Sequence, residues 1–285
     1  MLKYRLIFGT LMVVAFVALV LGDGLLDGRF AGPSGQGIRG TLFSLLLVLL
    51  VVAAQWEFAH LAAARGLRVF LPVTVGASIA LALTWYVLQV LSIPGHVYVL
   101  AVSTAAILGV FLYQQRVCGL AAVMANCGVS LLSVAYCGVL AAFALAIRID
   151  FGIWAVLMYV FVVKSSDIGA YAIGRLFGRH KFSPRISPGK TWEGMVGAVA
   201  VAVVVAVVFV GCCDIIAIGW PVAVLFGAGF AFIGQMGDLA ESMLKRDAAR
   251  KDSAAAVPGF GGVLDIVDSP LVAAPFAYLF FSLVM

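Results

Sequence analysis

Charged residues are scarce in this sequence: of 285 residues, 18 are Lys or Arg and 13 are Asp or Glu, which is 11% of the chain. Soluble domains carry about 25% charged residues, so this chain has too few charges to cover the surface of a water-soluble globule. Intrinsic disorder is excluded for the opposite reason, because 64% of the residues are apolar. The composition also excludes collagen, coiled coils and disulfide-rich scaffolds. An integral membrane protein with several spans remains.

Cysteine is also uncommon, and no Cys-x-x-Cys pair occurs. The five cysteines lie in or beside apolar runs, which is typical of small buried side chains rather than of metal sites or disulfides. They are Cys118, Cys127, Cys137, Cys212 and Cys213. The net charge of +5 does not indicate nucleic-acid binding, because membrane proteins concentrate Lys and Arg in their cytoplasmic loops.

Long apolar runs fill most of the chain. Nine of them approach the roughly 20 residues that a helix needs to cross a bilayer, at about 4–22, 41–63, 69–91, 97–113, 119–147, 151–173, 195–211, 219–244 and 269–285. We therefore predict an all-α, polytopic integral membrane protein with about nine transmembrane helices. The fifth run exceeds one straight crossing and is expected to begin as an interfacial segment. The first run, preceded by Lys3 and Arg5, has no clean signal-peptide cleavage site after it and is counted as a span.

The positive-inside rule gives the orientation. With the N-terminus in the cytoplasm, the inner segments hold fourteen Lys and Arg residues, whereas the outer segments hold only Arg29, Arg39 and Arg148. Lys164 falls within a span. The bias predicts a cytoplasmic N-terminus and an outer C-terminus.

Acidic residues are concentrated in the second half of the chain. Nine of the thirteen lie between residues 164 and 268, and ionisable groups at membrane depth are functional candidates by default. We predict an N-terminal region of five spans at 1–148 and a catalytic region of four spans at 149–285. The catalytic region is expected to contain cytoplasmic loops at 174–194 and 245–268.

The first polar cluster lies inside the sixth span and runs Lys164-Ser165-Ser166-Asp167. Lys164 and Asp167 are three residues apart and share a helix face. Two interpretations stay open: a buried ion pair that only holds helices together, or the polar wall of a cavity that admits a charged headgroup.

The second cluster is the loop 186–194, which includes Ser187 and Gly189-Lys190-Thr191. We do not expect a P-loop, because Pro184 stands where that motif needs glycine and no strand is predicted before it. Backbone N–H groups at a helix start, with Lys190 and Ser187 beside them, suit a phosphate. The alternative is an ordinary basic cytoplasmic loop.

The third cluster combines a stripe of polar side chains on one face of a helix with a glycine-rich turn at 259–262. This turn reverses the chain and brings Asp265 and Asp268 back to the membrane surface. Carboxylates from two segments beside cations fit a Mg²⁺ site that also holds phosphates; the alternative is a solvated charged loop. The stripe, at helical spacing i, i+3, i+4 and i+7, is Asp238, Glu241, Ser242 and Lys245.

These residues resemble the signature of the phosphatidate cytidylyltransferases, or CDP-diacylglycerol synthases. The match covers about 165–270 in three blocks in the family's order: Asp167-x-x-Ala170-Tyr171-x-x-Gly174-Arg175-x-Phe177-Gly178, then Ile186-Ser187-Pro188-x-Lys190-Thr191-Trp192-Glu193-Gly194, then Ser242, Lys245-Arg246, Lys251-Asp252-Ser253, Pro258-Gly259-x-Gly261-Gly262 and Asp265-x-x-Asp268-Ser269. Two positions depart from the pattern: Phe260 stands where the family has His, and Ile266 stands where it has Arg.

The resemblance implies that CTP and phosphatidate give CDP-diacylglycerol and pyrophosphate with Mg²⁺, and it allows a second cation and a homodimer. It implies an active site on the cytoplasmic face of a bacterial-type inner membrane. Asp238 and Asp265 are expected to carry the metal, with Asp268 and Glu241 as further candidates. The expected catalytic cations are Lys245 and Arg246. The substrate-binding residues are expected to be Ser187, Lys190, Lys251, Asp167 and Ser242.

The sequence poorly distinguishes a phosphatidate cytidylyltransferase from a prenyl-lipid cytidylyltransferase or a CTP-using polyprenol kinase. A transporter or flippase, with Lys164 and Asp167 in its pathway, is disfavoured because the polarity lies in one half of the chain at one face. A CDP-alcohol phosphotransferase is disfavoured because Asp27-Gly28-Arg29 lacks the rest of that motif.

Overall fold

The structure is a computed structural model, and it describes residues 2–30, 37–212, 218–254 and 260–285, with side chains from residue 7 onward. Several residues used above lie outside that description. They are the side chains of Lys3 and Arg5, and residues Cys213, Pro258 and Gly259.

Helices account for nearly all of the regular structure, which confirms the predicted all-α class. The helices are α1 Leu2–Leu26, α2 Thr41–Ala64, α3 Leu71–Ala82, α4 Thr84–Val90, α5 Gly95–Val117, α6 Val123–Val134, α7 Leu140–Asp150, α8 Gly152–Phe177, α9 Trp192–Cys212, α10 Trp220–Asp247 and α11 Val263–Val284. A π-helical turn, Ala135–Val139, joins α6 to α7. Two short strands, β1 Lys181–Ser183 and β2 Ser187–Thr191, form an antiparallel hairpin.

The helices coincide with the predicted membrane spans. Within the described residues, eight continuous helical segments are long and apolar enough to cross a bilayer, and α3 with α4 makes a ninth if the bent pair counts as one span. That pair is bent by 64°. At the bend, the Thr84 hydroxyl donates to the carbonyl of Leu81 over 2.7 Å, so the hydroxyl satisfies a backbone acceptor at the break.

The chain forms two compact units, each described here by itself. The first comprises 1–150 and 247–266, and the second comprises 151–246 and 267–285. The domain boundary predicted at residue 148 stays a prediction.

Polar side chains join the inner helices of the first unit. Gln55 of α2 donates to the Ser78 hydroxyl over 2.6 Å and to the carbonyl of Ser133 over 3.0 Å. Gly138, in the π-helical turn, permits the close approach of α3, since a Cβ there would lie 2.7 Å from the Cα of Ser78. In an apolar setting, such hydrogen bonds and close contacts at small residues drive helix association.

A largely buried ion cluster lies in the same unit. Arg148 donates to Asp23 over 2.6 Å and to Asp27 over 2.8 Å, and neither Arg148 nor Asp23 is exposed at all. The other oxygen of Asp23 accepts the backbone N–H groups of Leu42 and Phe43 at the start of α2. One carboxylate therefore joins α7 to the N-terminus of α2, where negative charge is favourable.

The second unit is built around a tight pair of antiparallel helices, α8 and α9. A Cβ on Gly197 would lie 2.5 Å from the side chain of Ile173, and one on Gly194 would lie 3.3 Å from the Cα of Gly174. Glycine is required at these positions because the two backbones touch. An aromatic cluster packs α10 against the C-terminal part of α11; its members are Phe226, Phe230, Phe280 and Phe281.

The buried ion cluster yields a stability prediction. Arg148→Met leaves the Asp23 carboxylate buried without its cation, which costs about 3–5 kcal/mol. Equilibrium unfolding of the purified protein in detergent measures this loss. The matched control is Arg65→Met, which removes the exposed pair between Arg65 and Asp247; its stability is expected to equal that of the wild type within error. Equal destabilisation by both changes would contradict the assignment.

Candidate active site

Three carboxylates converge in the second unit. Asp238 and Glu241 lie one turn apart on α10, and Asp268 lies on α11; one oxygen of each falls within 4.8 Å of the others. Gly237 makes this convergence possible, because a Cβ there would lie 3.0 Å from the Cα of Ser269. The absence of a side chain lets α11 approach α10 at the level of the carboxylates.

Each of these carboxylates has a lysine partner. Lys190 Nζ lies 2.8 Å from Asp238, and Lys245 pairs with Glu241 one turn earlier on α10. Asp268 lies 3.3 Å from Lys164 of α8. Glu241 is completely buried and Asp268 is nearly so. The paired cations are necessary, because an isolated buried charge would be very unfavourable.

Asp167 is linked to this cluster by two contacts. Lys164 Nζ lies 3.4 Å from one of its oxygens, and the Gln235 side-chain amide donates to the other over 3.0 Å. The carbonyl of Gln235 accepts a hydrogen bond from Lys190 over 2.9 Å. Gln235 was missed by the sequence analysis, although its position one turn before Asp238 in an apolar span was a usable signal.

The hairpin delivers Lys190 to the cluster from β2. The Glu193 carboxylate, in the first turn of α9, accepts the backbone N–H groups of Arg179 and His180, which closes the loop at its base. Arg246 donates to the carbonyl of Ile186 over 3.2 Å, so the hairpin also contacts the end of α10. Ser187 follows Ile186 in β2 and is half-buried.

One further predicted residue acts on a carboxylate: the Ser242 hydroxyl donates to Asp238 over 3.3 Å. The structure thus brings most of the predicted site residues into one unit. They are Asp167, Ser187, Lys190, Asp238, Glu241, Ser242, Lys245, Arg246 and Asp268.

Asp265 and Lys251 lie in the first unit. One oxygen of Asp265 accepts the backbone N–H of Gly262 over 2.8 Å and both the N–H and the hydroxyl of Ser253, over 2.9 and 2.7 Å. Asp265 is the third residue of α11, so its bond to the Gly262 N–H is one half of a capping box; the glycine has no side chain to complete it. Lys251 is exposed.

Glu57 of α2 completes the cap of α11, and the sequence analysis missed it. Its carboxylate accepts the N–H groups of Val263 and Leu264, over 2.7 and 2.8 Å. It also lies 2.8 Å from the Ser253 hydroxyl, whose single hydrogen is shared between Glu57 and Asp265. Glu57 is buried, and an acidic residue in the middle of the second span was the signal that could have found it. Helix α11, which carries Asp268 farther along, therefore begins at a negatively charged anchor.

The departures from the family pattern are apolar. The ring of Phe260 lies against Gly9 of α1, where a Cβ would come within 3.1 Å of the ring. Ile266 is half-buried in the first turns of α11.

The donor set at Asp238, Glu241 and Asp268 suits a hard divalent cation. All its ligand atoms are carboxylate oxygens, and Mg²⁺ prefers oxygen ligands and commonly shares them with substrate phosphates. The lysines in contact with the same carboxylates suit phosphate groups. Together these side chains can hold a metal ion and a polyphosphate side by side.

Comparison with known proteins agrees with this arrangement. The model of the cytidylyltransferase family matches residues 3–284. A phosphatidate cytidylyltransferase from Pseudomonas aeruginosa is 33% identical over 291 residues, covering 96% of this chain and 95% of that protein. Proteins of the same name from Haemophilus influenzae and Bacillus subtilis are 41% and 40% identical over 133 and 134 residues. Those two alignments span 46% and 48% of the relatives' lengths, which is about half.

The cap of α11 yields a local prediction. Glu57→Leu removes the acceptor of the Val263 and Leu264 N–H groups, and each lost hydrogen bond is worth about 1 kcal/mol. We expect hydrogen–deuterium exchange at these two amides to accelerate by about tenfold or more. Glu57→Gln, which keeps one acceptor oxygen, is expected to show a smaller effect. Unchanged exchange in Glu57→Leu would contradict the capping role.

Proposed function

Because this chain belongs to the cytidylyltransferase family, we propose that it transfers the cytidylyl group of CTP to phosphatidate, giving CDP-diacylglycerol and pyrophosphate. The observation that carries the proposal is the convergence of Asp238, Glu241 and Asp268, each with a lysine partner, in one unit. The names of the relatives, one of them aligned over nearly its whole length, support the same substrates.

The reaction is a displacement at the α-phosphorus of CTP. A phosphate oxygen of phosphatidate forms the new bond to that phosphorus, and the bond to the bridging oxygen of the β-phosphate breaks, so that pyrophosphate leaves with the electron pair. The phosphatidate oxygen is already ionised at neutral pH and needs no strong base. The main obstacle is repulsion between two polyanions, so charge neutralisation matters more than proton transfer.

Positively charged lysines reduce this repulsion. Lys190 and Lys245 already contact carboxylates of the cluster, and their ammonium groups are placed to bind the triphosphate or the lipid phosphate when the substrates enter. Arg246, with Ser187 nearby in the hairpin, extends the positive surface toward the end of α10. On the strength of the resemblance, Lys251 is also proposed to bind the triphosphate or the lipid phosphate.

Asp238, Glu241 and Asp268 are the residues that would hold Mg²⁺. The metal would supply neutralisation of the charge that develops on the α-phosphate and the leaving pyrophosphate. Asp265 is proposed as a further ligand on the strength of the resemblance alone. In the structure, one of its oxygens caps α11. Ser242 orients Asp238, and Gln235 orients Asp167.

The location of the site follows from the substrates. Phosphatidate reaches the protein through the bilayer and CTP through the cytosol. We propose that the hairpin and the C-terminal end of α10 face the cytoplasm of a bacterial cell at its inner membrane. The excess of Lys and Arg in these segments supports this orientation.

Radiolabelled CTP tests the proposed reaction directly. Detergent-solubilised protein with phosphatidate and Mg²⁺ is expected to move label from the α-phosphate of CTP into lipid and to leave the γ-label in pyrophosphate. Transfer of the γ-label to a polyprenol would instead identify a kinase. Formation of no labelled lipid from phosphatidate would contradict the proposal.

The metal ligands give a mutational prediction. Asp238→Asn and Asp268→Asn are each expected to lower turnover by at least about 100-fold, because the metal's charge stabilisation is worth several kcal/mol. Asp265→Asn is expected to lose turnover as well. The control is Asp247→Asn, an exposed carboxylate at the end of α10 that pairs with Arg65 and lies outside the family signature, with activity like the wild type. Normal activity in Asp265→Asn would refute its assignment, and normal activity in Asp238→Asn would refute the site.

A further inference from the structure

Lys164 lies at the centre of α8, twelve residues from its first residue and thirteen from its last. A cation at that depth of a membrane-spanning helix is costly unless it is paired. Its ammonium group lies 3.3 Å from Asp268 and 3.4 Å from Asp167, almost midway between the two carboxylates. The lysine therefore bridges two helices, and its cost is offset by two anions.

Lys164 differs from the other two lysines of the cluster in what it contacts. Lys190 contacts Asp238 and Lys245 contacts Glu241, both members of the convergent set, whereas Lys164 contacts one member of that set, Asp268, and a carboxylate outside it, Asp167. A lysine that only held α8 and α11 together would need a single carboxylate partner on α11. A charge between two carboxylates is the arrangement expected of a bridging cation.

The net charge of the cluster determines how the bridging lysine affects the attraction of a divalent cation. Four carboxylates, Asp167, Asp238, Glu241 and Asp268, are balanced by three ammonium groups, which leaves about one net negative charge. Lys164, in contact with two of these carboxylates, contributes a fixed positive charge that weakens the potential that attracts a divalent ion.

We propose that Lys164 is a tethered counter-ion that bridges Asp167 and Asp268 and keeps the cluster's affinity for a free divalent cation low. The site then binds the ion tightly only when the phosphates of CTP supply further oxygen ligands, which favours the metal–nucleotide complex over the metal alone. This inference rests on the proposed metal site, and Lys164 acts in it as a positioning residue.

Manganese binding without nucleotide tests the proposal. Titration of purified, detergent-solubilised protein with Mn²⁺, followed by the electron paramagnetic resonance signal of the free ion, gives the dissociation constant. Lys164→Met removes a positive charge from the carboxylates of the site; for a unit charge and a divalent ion about 6 Å apart, the repulsion at the dielectric constant of water already corresponds to about tenfold in affinity, so binding is expected to tighten by about that much. Lys164→Arg keeps the charge and is expected to bind within about twofold of the wild type.

Two further variants separate charge from other effects. Lys181→Met removes an exposed lysine of β1 and is the matched control, with unchanged Mn²⁺ affinity. Combining Lys164→Met with Asp167→Asn removes the cation and one anion together, and the affinity is expected to return to within about threefold of the wild type. A structural role alone would not tighten metal binding in the single variant and reverse it in the double one.

The outcomes are distinct. Unchanged or weaker Mn²⁺ binding in Lys164→Met overturns the proposal, as does undetectable binding in both this variant and the wild type. If Lys164→Met is not monodisperse, Lys164→Gln removes the same charge and must show the same tightening. Failure to form CDP-diacylglycerol, with the Mn²⁺ changes as expected, would overturn the proposed reaction and leave the counter-ion role standing.

Discussion

Pairing of charges within apolar helices is the constraint on which the rest of this structure depends. A carboxylate as buried as Glu241 or Asp268 is tolerated only with a cation in contact, because neither water nor a high dielectric constant is available to stabilise it. Some of these pairs lie within one helix, whereas others join elements: Asp268 of α11 pairs with Lys164 of α8, and Asp238 of α10 pairs with Lys190 of β2. The carboxylate cluster is thus both the candidate site and a reason why these three helices associate.

Small residues set how closely those charges can meet. Gly237 lets α11 reach α10 beside Asp238, and glycines on α8 and α9 let the two helices touch along their backbones. In an apolar environment, close backbone approach replaces much of the hydrophobic driving force that soluble proteins use. Substitution of such a glycine would separate the carboxylates without altering any of them.

The first unit uses the same chemistry for anchoring. Asp23 accepts N–H groups at the start of α2, and Glu57 does the same at the start of α11. In both cases a buried carboxylate satisfies backbone donors that would otherwise have no partner, and it does so where the helix dipole favours an anion. The family signature in the loop before α11 is therefore partly structural: Ser253 and Asp265 hold the turn that starts the last helix.

The sequence by itself determined the fold class, the positions of the spans and three polar clusters, because apolar length and scarce charge are properties of local segments. Residues such as Asp238, Glu241 and Lys245 could be assigned to one stripe because helical spacing is local too. Which carboxylates converge is visible only in the tertiary structure, where Asp268 of α11 approaches α10 beside Gly237. The structure also revealed Glu57, Gln235 and the bridge at Lys164. Apart from Asp167, the near neighbour of Lys164, the partners of these residues lie 45 to 207 residues away in the chain, where spacing carries no information.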